Sequence, residues 1–443
     1  MKPDIFIISL GCPRNLVDSE VLAGKLKKNG FRIFYEPRKN CVAIVNTCAF
    51  IEDAKNESIN IILELAGMKA KGSIARLIVT GCLSQRYQRE LMREIREIDG
   101  IFGSGTFFAI PDYIGRILKD EKVAKVNKIP RFLYDHSQSR LALTPRHSVY
   151  VKIQEGCRNF CSYCIIPKIK GPYRSRGMES ILSEVGSFKK RGAKEINLIG
   201  QDTTSYGIDR YKALRLAPLL VKISQIMKGG WVRLLYTHPA HYNQDLIEVI
   251  RGEGAVCKYL DLPIQHISDK ILKKMNRHVG PKGIISLIEK IRKAVPGIAI
   301  RTTVMVGFPG ESEKDFSELE KFITETKFER LGVFVYSREE QTRAFDFPDQ
   351  VPEKVKEERF RRIMEAQNRI SEENNRCYMG KRIKVLIDEK DQSEKCQYLA
   401  RTQSDAPEVD GLVYVKSEKA LKEGDFVDVK IEDTLEYDLV GSV

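Results

Sequence analysis

The sequence predicts an α/β protein of three consecutive domains: an N-terminal open parallel-sheet domain, a central partial (βα)6 barrel and a small C-terminal antiparallel β-barrel. The chain has 443 residues, enough for three cores at ~150 residues each. Short apolar runs alternate with helical patterns along most of it, and near the end this alternation gives way to β-branched runs separated by glycines. The predicted domains span residues 1–135, 136–376 and 377–443.

Strand and helix patterns alternate in the first domain. The predicted strands are Ile5–Leu10, Val42–Val45 and Arg76–Thr80, and the predicted helices are Asp18–Asn29, Ile51–Met68 and Gln85–Glu97. Short apolar strands that are each followed by a helix are typical of βαβ units, whose strands pair in parallel. Residues 119–138 are polar and irregular, and we expect them to link this domain to the next.

Six further strand patterns, again separated by helical ones, begin near residue 148. They are Val149–Ile153, Glu195–Ile199, Val232–Tyr236, Tyr259–Leu262, Ala299–Val306 and Gly332–Tyr336. Six such units predict a partial barrel whose functional loops follow the C-terminal strand ends. Polar residues stand at three of these ends and are expected to face the barrel mouth: Gln201, Asp202, Tyr236, Thr237, His238, Gln265 and His266. The charged helical pattern Glu353–Asn375 is expected to close the domain.

The last segment differs in both pattern and charge. Its strand patterns are Ile383–Ile387, Leu412–Val415 and Phe426–Ile431, with Gly380, Gly411 and Gly424 between or before them. Residues 378–443 contain 10 basic and 15 acidic residues, a net charge of −5, whereas the whole chain carries +14. The remainder therefore carries +19, which favours an anionic partner surface such as nucleic acid.

The composition excludes several classes of protein. Hydrophobic residues at 42% and charged residues at 30% are ordinary for a folded soluble chain and argue against disorder or a fibre. No apolar run reaches the ~18 residues of a membrane span, and no signal peptide is recognisable, so we expect a cytoplasmic protein without a membrane partner. In that setting ten cysteines indicate metal ligands or catalytic thiols rather than disulfides.

The strongest motif is Cys157-x3-Cys161-x2-Cys164, hereafter the barrel trio. Three thiolates at this spacing can bind three irons of a cubane cluster and leave the fourth iron open. An open iron can chelate the amino and carboxylate groups of S-adenosylmethionine, whose sulfonium is then cleaved by one electron. The alternative, a zinc knuckle, requires a fourth nearby Cys or His, and none follows in this loop. The motif therefore favours a 4Fe–4S cluster.

Cys12, Cys48 and Cys82, hereafter the N-terminal trio, each follow a predicted strand directly. Because ligands gather at the carboxyl ends of parallel strands, these thiols are expected to converge on a second cluster. The alternative is three unrelated buried cysteines. Of the other four, Cys41 lies at the opposite end of its strand and is expected to be structural. Cys257, Cys377 and Cys396 have no partner at ligand spacing.

Three further segments are weaker candidates. Gly307-Phe-Pro-Gly-Glu311 follows the fifth barrel strand, where glycine presents bare backbone to a ligand, so Gly307 and Glu311 are predicted to contact S-adenosylmethionine, with a plain turn as the alternative. His238 and His241 lack a third ligand and are read as polar loop residues. The basic stretch Lys168–Arg176 is either a solvated loop or part of a binding site near the barrel trio.

With both trios placed, the chain resembles the methylthiotransferase family over essentially its whole length. Members combine an N-terminal methylthiotransferase domain, a radical S-adenosylmethionine barrel and a C-terminal TRAM barrel. The family's N-terminal cysteines match Cys12, Cys48 and Cys82, and its radical motif matches Cys157, Cys161 and Cys164. The resemblance implies two 4Fe–4S clusters and S-adenosylmethionine as cofactors.

Two branches of this family differ in substrate. The segment Ser9-Leu-Gly-Cys-Pro-Arg-Asn-Leu-Val-Asp-Ser-Glu20 resembles the branch that modifies ribosomal small-subunit protein S-twelve, except that Arg14 stands where lysine is usual. The branch that modifies a tRNA adenosine has Gln and Met where this chain has Pro13 and Arg14. The acidic C-terminal segment also suits a basic protein better than RNA. Asp405, Glu408 and Asp410 are therefore expected to dock basic side chains of S-twelve.

The resemblance implies that the protein adds a methylthio group to the β-carbon of an aspartate in S-twelve. An electron donor is then required as a partner, and the +19 surface is compatible with rRNA contacts. Two other functions stay open at this point. One is a tRNA adenosine methylthiotransferase, and the other is a non-enzymatic iron–sulfur or zinc protein that binds RNA.

Overall fold

The computed structural model describes residues 2–391 and 397–443, so Cys396 lies outside the described residues. Its N-terminal sheet contains β1 (Asp4–Ser9), β2 (Arg32–Phe34), β3 (Cys41–Thr47), β4 (Ile74–Gly81), β5 (Ile98–Phe102) and β6 (Val123–Lys125). These strands lie in the order β2-β1-β3-β4-β5-β6, and every pairing is parallel. The predicted open parallel sheet is confirmed, although β6 falls within the stretch that was expected to be an irregular link.

Five helices accompany this sheet: α1 (Pro13–Lys28), α2 (Glu52–Ala70), α3 (Cys82–Arg86), α4 (Gln88–Glu94) and α5 (Ile110–Ile117). Helix α1 begins earlier than predicted because Pro13 occupies its first turn, where a fixed φ and a missing N–H are tolerated. Its N-cap is Cys12. The single helix predicted from Gln85 is two helices, which Tyr87 separates with φ −125°.

The central domain contains β7 (Ser148–Lys152), β8 (Gln154–Glu155), β9 (Arg174–Ser175), β10 (Glu195–Ile199), β11 (Trp231–Leu234), β12 (Tyr259–Asp261), β13 (Ala299–Val306) and β14 (Arg330–Val335). Strands β7, β10 and β11 form one parallel sheet and β12, β13 and β14 another. A parallel bridge between Val232 and Val256 joins the two sheets. The six predicted strands thus follow one another in chain order, which confirms the partial barrel.

Nine helices belong to this domain: α6 (Ile166–Lys170), α7 (Met178–Lys190), α8 (Ile208–Tyr211), α9 (Leu216–Ile226), α10 (Gln244–Gly252), α11 (Asp269–Lys274), α12 (Pro281–Ala294), α13 (Glu313–Thr326) and α14 (Glu353–Arg376). Among the described residues there are also four short 3-10 turns, the first in the N-terminal domain and the other three in the central one: Phe107–Ala109, Thr203–Ser205, Pro239–His241 and Arg343–Asp346. Helix α14 packs on α13 and β14, as expected of a closing helix. Within the described residues, no helix is long and apolar enough to cross a membrane.

The C-terminal domain is a closed barrel of β15 (Arg382–Lys390), β16 (Gln397–Thr402), β17 (Val413–Lys416), β18 (Phe426–Thr434) and β19 (Leu439–Ser442). The strands follow the order β15-β16-β17-β19-β18 around the barrel. Four of the pairings are antiparallel, and the pairing of β17 with β19 is parallel. Closure leaves no free sheet edge, which is how small barrels avoid pairing with other chains.

The three domains share one apolar cluster, to which Ile110, Trp231 and Leu386 contribute from successive domains. Buried ion pairs add to this interface. Asp405 pairs with Arg330 of β14 at 2.6 Å, and Asp410 pairs with Arg301 of β13 at 3.3 Å. The expectation that Asp405 and Asp410 dock a partner protein is therefore wrong, because both carboxylates form ion pairs with arginines of the central domain.

Candidate active site

The N-terminal trio lies at the carboxyl ends of β1, β3 and β4, which are adjacent strands. Cys12 caps α1, Cys48 follows β3, and Cys82 opens α3. Gly11 has φ +84°, and a Cβ at that position would lie 2.6 Å from the Cys48 Cβ and 2.9 Å from its Sγ. Only glycine therefore allows the loop before Cys12 to approach Cys48 this closely.

Asn15 of α1 connects the three loops that carry this trio. Its Nδ2 donates to the carbonyl of Leu10 at 3.1 Å and to that of Thr47 at 2.9 Å. Its Oδ1 accepts from the Cys82 thiol at 3.7 Å. One buried amide thus fixes the loops after β1 and β3 and the start of α3, which holds the three thiols together at one edge of the sheet.

The charges around the N-terminal trio favour thiolates. Arg14 Nε donates to the Cys12 Sγ at 3.4 Å. Burial opposes ionisation of Cys12, but the charge and hydrogen bond of Arg14 outweigh it and lower the pKa of that thiol. Burial raises the pKa of Cys82 to about 12, against the opposing charge of Lys170. Burial also raises the pKa of Cys48. Metal binding releases such protons, so the buried Cys48 and Cys82 and the partly buried Cys12, with Arg14 and Lys170 nearby, suit a cluster.

The barrel trio occupies the loop after β8. Phe160 adopts φ +49°, and Asn276 Nδ2 donates to the carbonyls of Asn159 at 3.2 Å and Phe160 at 3.0 Å. Arg277 Nη1 donates to the Cys161 Sγ at 3.7 Å. These hydrogen bonds hold the backbone between Cys157 and Cys161 and the thiol of Cys161 in place.

Burial dominates the acidity of the barrel trio. It raises the pKa of Cys157 to about 11, and together with the nearby Cys161 it raises the pKa of Cys164 above its ordinary value. All three cysteines of the trio line one cavity at the barrel mouth. A cubane takes each thiolate on a different iron, so the trio can supply three corners of one cluster.

A cavity of about 380 Å³ lies at the barrel mouth. The three cysteines of the barrel trio line it, as do Arg14 from α1 and Val409 from the C-terminal domain. Its other polar lining residues include Gln201, Tyr236, Thr237, His238, Asp261, Gln265, Arg277 and Arg301. Residues of all three domains therefore enclose one chamber, and most of the strand-end residues expected at the mouth do line it.

Asp202 and His266, also expected at the mouth, are buried beneath it instead. Asp202 accepts from His241 Nδ1 at 2.8 Å and from Asn159 Nδ2 at 2.9 Å. His238 stacks on His241 with ring centroids 4.9 Å apart. His238 lines the chamber and His241 supports it through this stacking and through Asp202.

Arg14 connects the N-terminal domain to this chamber. Its guanidinium carbon lies 4.4 Å from the centre of the Tyr236 ring, and its Nη1 donates to the carbonyl of Gly200 at 3.1 Å. Both partners belong to the barrel, while its Nε contacts Cys12. Arg14 therefore stands between the two trios, a position that its sequence motif does not reveal.

Gly307 and Glu311 do not line the chamber, and their contact with S-adenosylmethionine stays a prediction. Glu311 Oε2 accepts from the backbone N–H of Gly307 at 2.8 Å and of Phe308 at 3.2 Å, and Oε1 accepts from Arg359 of α14 at 2.9 Å. Burial raises the pKa of Glu311 to about 7, against these favourable hydrogen bonds. Glu311 thus organises its own loop and ties that loop to the closing helix.

A buried ionic network beneath the chamber was not anticipated. Lys152 of β7 pairs with Asp18 of α1 and, at 2.5 Å, with Glu155, while Lys170 pairs with Asp18 at 2.9 Å. Gln201 donates to Glu155 at 2.6 Å. The basic stretch 168–176 is thus only partly solvated. The sequence feature that indicates this network is Lys152, a charged residue within the otherwise apolar pattern of β7.

Three family models match successive parts of the chain. They are the uncharacterized protein family UPF0004 at residues 4–103, the radical SAM superfamily at 151–323 and the TRAM domain at 379–443. A radical S-adenosylmethionine methyltransferase from Kitasatospora setae shares the fold, with TM-score 0.55 and 13% identity, over 75% of this chain and 73% of that one. Fold and site define a radical SAM enzyme with a second cysteine trio in its N-terminal domain.

Relatives of full length are more specific. The ribosomal protein uS12 (S-twelve) methylthiotransferases of a Thermoanaerobacter species and of Geobacter sulfurreducens are 46% and 45% identical to this chain. The alignments cover 99% and 100% of this chain and 99% of each relative. The chain belongs to this family and is a radical SAM methylthiotransferase.

Proposed function

We propose that the enzyme adds a methylthio group to the β-carbon of an aspartate in ribosomal protein uS12, with two 4Fe–4S clusters held by the two trios. The observation that carries this proposal is the single chamber that the barrel trio lines and that Arg14, in contact with Cys12, also lines. A substrate side chain in this chamber would lie between both groups of thiols. Family membership supports the substrate.

Each trio would supply three thiolates to a cluster and leave one iron open. When bound, the clusters and S-adenosylmethionine supply the electron, the hydrogen-abstracting radical, the sulfur and the methyl group. The protein's own part is to bind, orient and exclude water. Asn15 and Gly11 hold the N-terminal thiols together, Asn276 shapes the loop of the barrel trio, and residues of three domains shield the chamber.

The cationic lining of the chamber suits an aspartate substrate. Three guanidinium groups line it, from Arg14, Arg277 and Arg301. Arg301 is already paired with Asp261 and Asp410, whereas Arg14 has a sulfur and a carbonyl as partners. Arg277 donates from both Nη atoms, to the Cys161 Sγ and to the carbonyl of Pro263. Arg14 donates only from Nε and Nη1 among the described residues, so we expect its Nη2 to donate a charge-assisted hydrogen bond to the substrate carboxylate.

The remaining partners follow from this chemistry. A one-electron donor is required, and a ribosomal substrate supports a cytoplasmic location for the activity. The +19 charge outside the C-terminal segment would favour contacts with rRNA near uS12. The tRNA alternative is less well supported, since the full-length relatives are uS12 methylthiotransferases.

Iron content tests the ligand assignment. Anaerobically reconstituted enzyme should hold about eight irons, and replacement of either trio by alanine should leave about four. Loss of the barrel trio should abolish cleavage of S-adenosylmethionine. Loss of the N-terminal trio should spare that cleavage and abolish methylthiolation. Cys377→Ala, a change at an exposed cysteine outside both trios, is the control. Full iron retention by either triple variant would refute the assignment.

Substrate identity is tested by competition. The enzyme is offered uS12 and an anticodon stem-loop RNA together, and both are analysed by mass spectrometry for an added methylthio group. Modification of uS12 alone is the expected result. Modification of the RNA with uS12 untouched would replace the proposed function with the tRNA alternative.

A further inference from the structure

The loop of the barrel trio also borders a second opening. A groove of about 810 Å³ runs between the N-terminal domain and the central domain, and Cys157 lines it as well as the chamber. Its walls come from α3 and α4, from residues 126–130, and from the segment 167–172. Cys157 therefore borders two separate openings, the chamber on one side and this groove on the other.

The groove is strongly basic. Arg86, Arg89, Lys128 and Lys168 line it, against the single acidic residue Glu90. Arg86 is neutralised by Glu339 at 2.9 Å. Arg89 and Lys128 are exposed and form no ion pair within the part of the chain that the structure describes. Lys168 bonds only to the carbonyl of Gln341 among the described residues. The groove thus presents cations that the fold itself leaves uncompensated.

Two large apolar side chains interrupt this basic surface. Phe160, between Cys157 and Cys161, is 59% exposed, and Ile129 on the facing wall is 51% exposed. Phe160 is held outward in a left-handed backbone conformation, which a bulky residue rarely adopts without a compensating role. An apolar centre within a charged rim is typical of a protein–protein contact.

We infer that this groove docks an acidic one-electron carrier protein, which reduces the cluster of the barrel trio past Cys157. The inference rests on the proposed function, because that chemistry requires an external electron. In the step, the docked carrier is oxidised by one electron and the cluster is reduced by one, with no bond made or broken. Basic lining and apolar contacts at the cluster's outer edge fit such a donor, whereas substrate enters from the chamber.

The test uses reconstituted full-length enzyme and a bacterial flavodoxin, an acidic flavin protein, as probe. The variant Arg89→Glu/Lys128→Glu reverses two exposed charges outside both trios. Lys282→Glu/Lys290→Glu makes the same change on exposed positions of α12, which does not line the groove. Affinity is measured by titration at low and high salt. Reduction of the cluster is followed with reduced flavodoxin and, separately, with dithionite.

The groove variant should bind flavodoxin at least ~10-fold more weakly at low salt, with a smaller difference at high salt. Its reduction by flavodoxin should slow by a similar factor, while reduction by dithionite and iron content stay unchanged. The α12 variant should match wild type. Ile129→Ser should weaken binding at both salt concentrations, because it removes an apolar contact.

Unchanged flavodoxin binding and reduction in the groove variant would overturn the inference. The inference would also be overturned if the groove variant lost binding to an rRNA fragment but still bound flavodoxin, since the groove would then be an RNA site. Failure of the proposed function can be distinguished from failure of this docking inference. If wild-type enzyme ignores uS12 yet takes electrons from flavodoxin through this groove, the docking surface stands and the substrate assignment falls.

Discussion

Arg14 is the residue whose chemistry most directly links the two trios, because it contacts Cys12, packs on Tyr236 and faces the chamber. Arg14→Met should raise the KM for uS12 by ~10-fold or more, since a hydrogen bond to a charged group contributes ~1.5–3 kcal/mol. Iron content and substrate-free cleavage of S-adenosylmethionine should persist. Arg14→Lys, which keeps the charge and introduces the residue usual at this position in the family branch, should stay near wild type. An unaltered KM in both variants would remove Arg14 from substrate binding.

Glu311 gives the loop after β13 a pH-dependent stability. Because burial raises its pKa from 4.5 to about 7, its contribution to stability is complete below pH 4.5 and is lost as the pH rises through about 7. Glu311→Gln has no such titration. The melting temperature of the iron-free variant should therefore lie below that of wild type at acidic pH, and the gap should narrow as the pH rises.

Glu318→Gln, an exposed change on α13, is the matched control and should leave the melting temperature near that of wild type. A gap between wild type and Glu311→Gln that stays constant across this pH range would contradict the assignment of the titration to Glu311.

Single residues also mark the limit of sequence reasoning. Both cysteine trios can be predicted from the sequence. The barrel trio stands in one short segment, and each cysteine of the N-terminal trio directly follows a predicted strand. The partners that complete the site could not be predicted, because folding selects them from distant segments. Lys170 and Asp18 are 152 positions apart yet share a buried ion pair. Arg14 is recognisable only as a cation until Tyr236 and the chamber are placed beside it.

At the scale of elements, the loop after β13 depends on a glycine that faces the closing helix. Gly307 has φ +74°, and a Cβ there would lie 2.2 Å from Cγ of Lys356 on α14. Lys356 is buried and bonded to the carbonyl of Tyr336, so it cannot move aside at low cost. Gly307→Ala should lower the free energy of unfolding by ~1–3 kcal/mol, measured by denaturant titration.

Gly186 provides the matched control within helix α7. Its added Cβ would meet no atom within 4 Å, so Gly186→Ala should leave stability unchanged or raise it by ~0.5–1 kcal/mol through helix propensity. Equal effects of the two alanines would show that the contact with Lys356 is unimportant.

Among the predicted strands, β1 and β3 contain uninterrupted apolar runs. Strand β5 is not among the strands predicted from the sequence, since Asp99 and Gly100 interrupt its apolar pattern. Asp99 is nevertheless buried, since it pairs with Lys69 of α2 at 2.6 Å. Strand β2 has only three residues, too few to establish a period. Short or interrupted strands become stable only through neighbours that already form the sheet.

At the scale of the whole molecule, net charge was a poor guide to the role of the C-terminal domain. Part of its acidity neutralises the central barrel rather than a partner. Asp405 and Asp410 pair with Arg330 and Arg301, and Asp388 contacts His147 at 3.0 Å. Of the three acidic residues expected to dock uS12, only Glu408 is exposed. A sequence shows how many charges a domain has, but not which of them face another domain.

The docking of the C-terminal domain can be measured directly, because the chain has one tryptophan and it lies at this interface. Trp231 is 7% exposed, and its ring packs edge-on against Phe426 at 4.9 Å. Arg330→Met leaves the buried carboxylate of Asp405 without its cation, which should weaken the interface by ~3–5 kcal/mol. The red shift of Trp231 fluorescence should then occur at lower denaturant concentration than the loss of helical circular dichroism.

A double-mutant cycle separates the ion pair from general disruption. Asp405→Asn should also weaken the interface. The double variant Arg330→Met/Asp405→Asn should lose less interface stability than the sum of the two single changes, because at this pair it contains no buried charge without a partner. Asp428→Asn, at an exposed position of β18, should leave both transitions at their wild-type midpoints. Strictly additive losses of interface stability would mean that the ion pair does not couple the domains.

Val409, in the same segment as Asp405, lines the chamber. If the ion pair does couple the domains, Arg330→Met should also raise the KM for uS12 while leaving iron content intact.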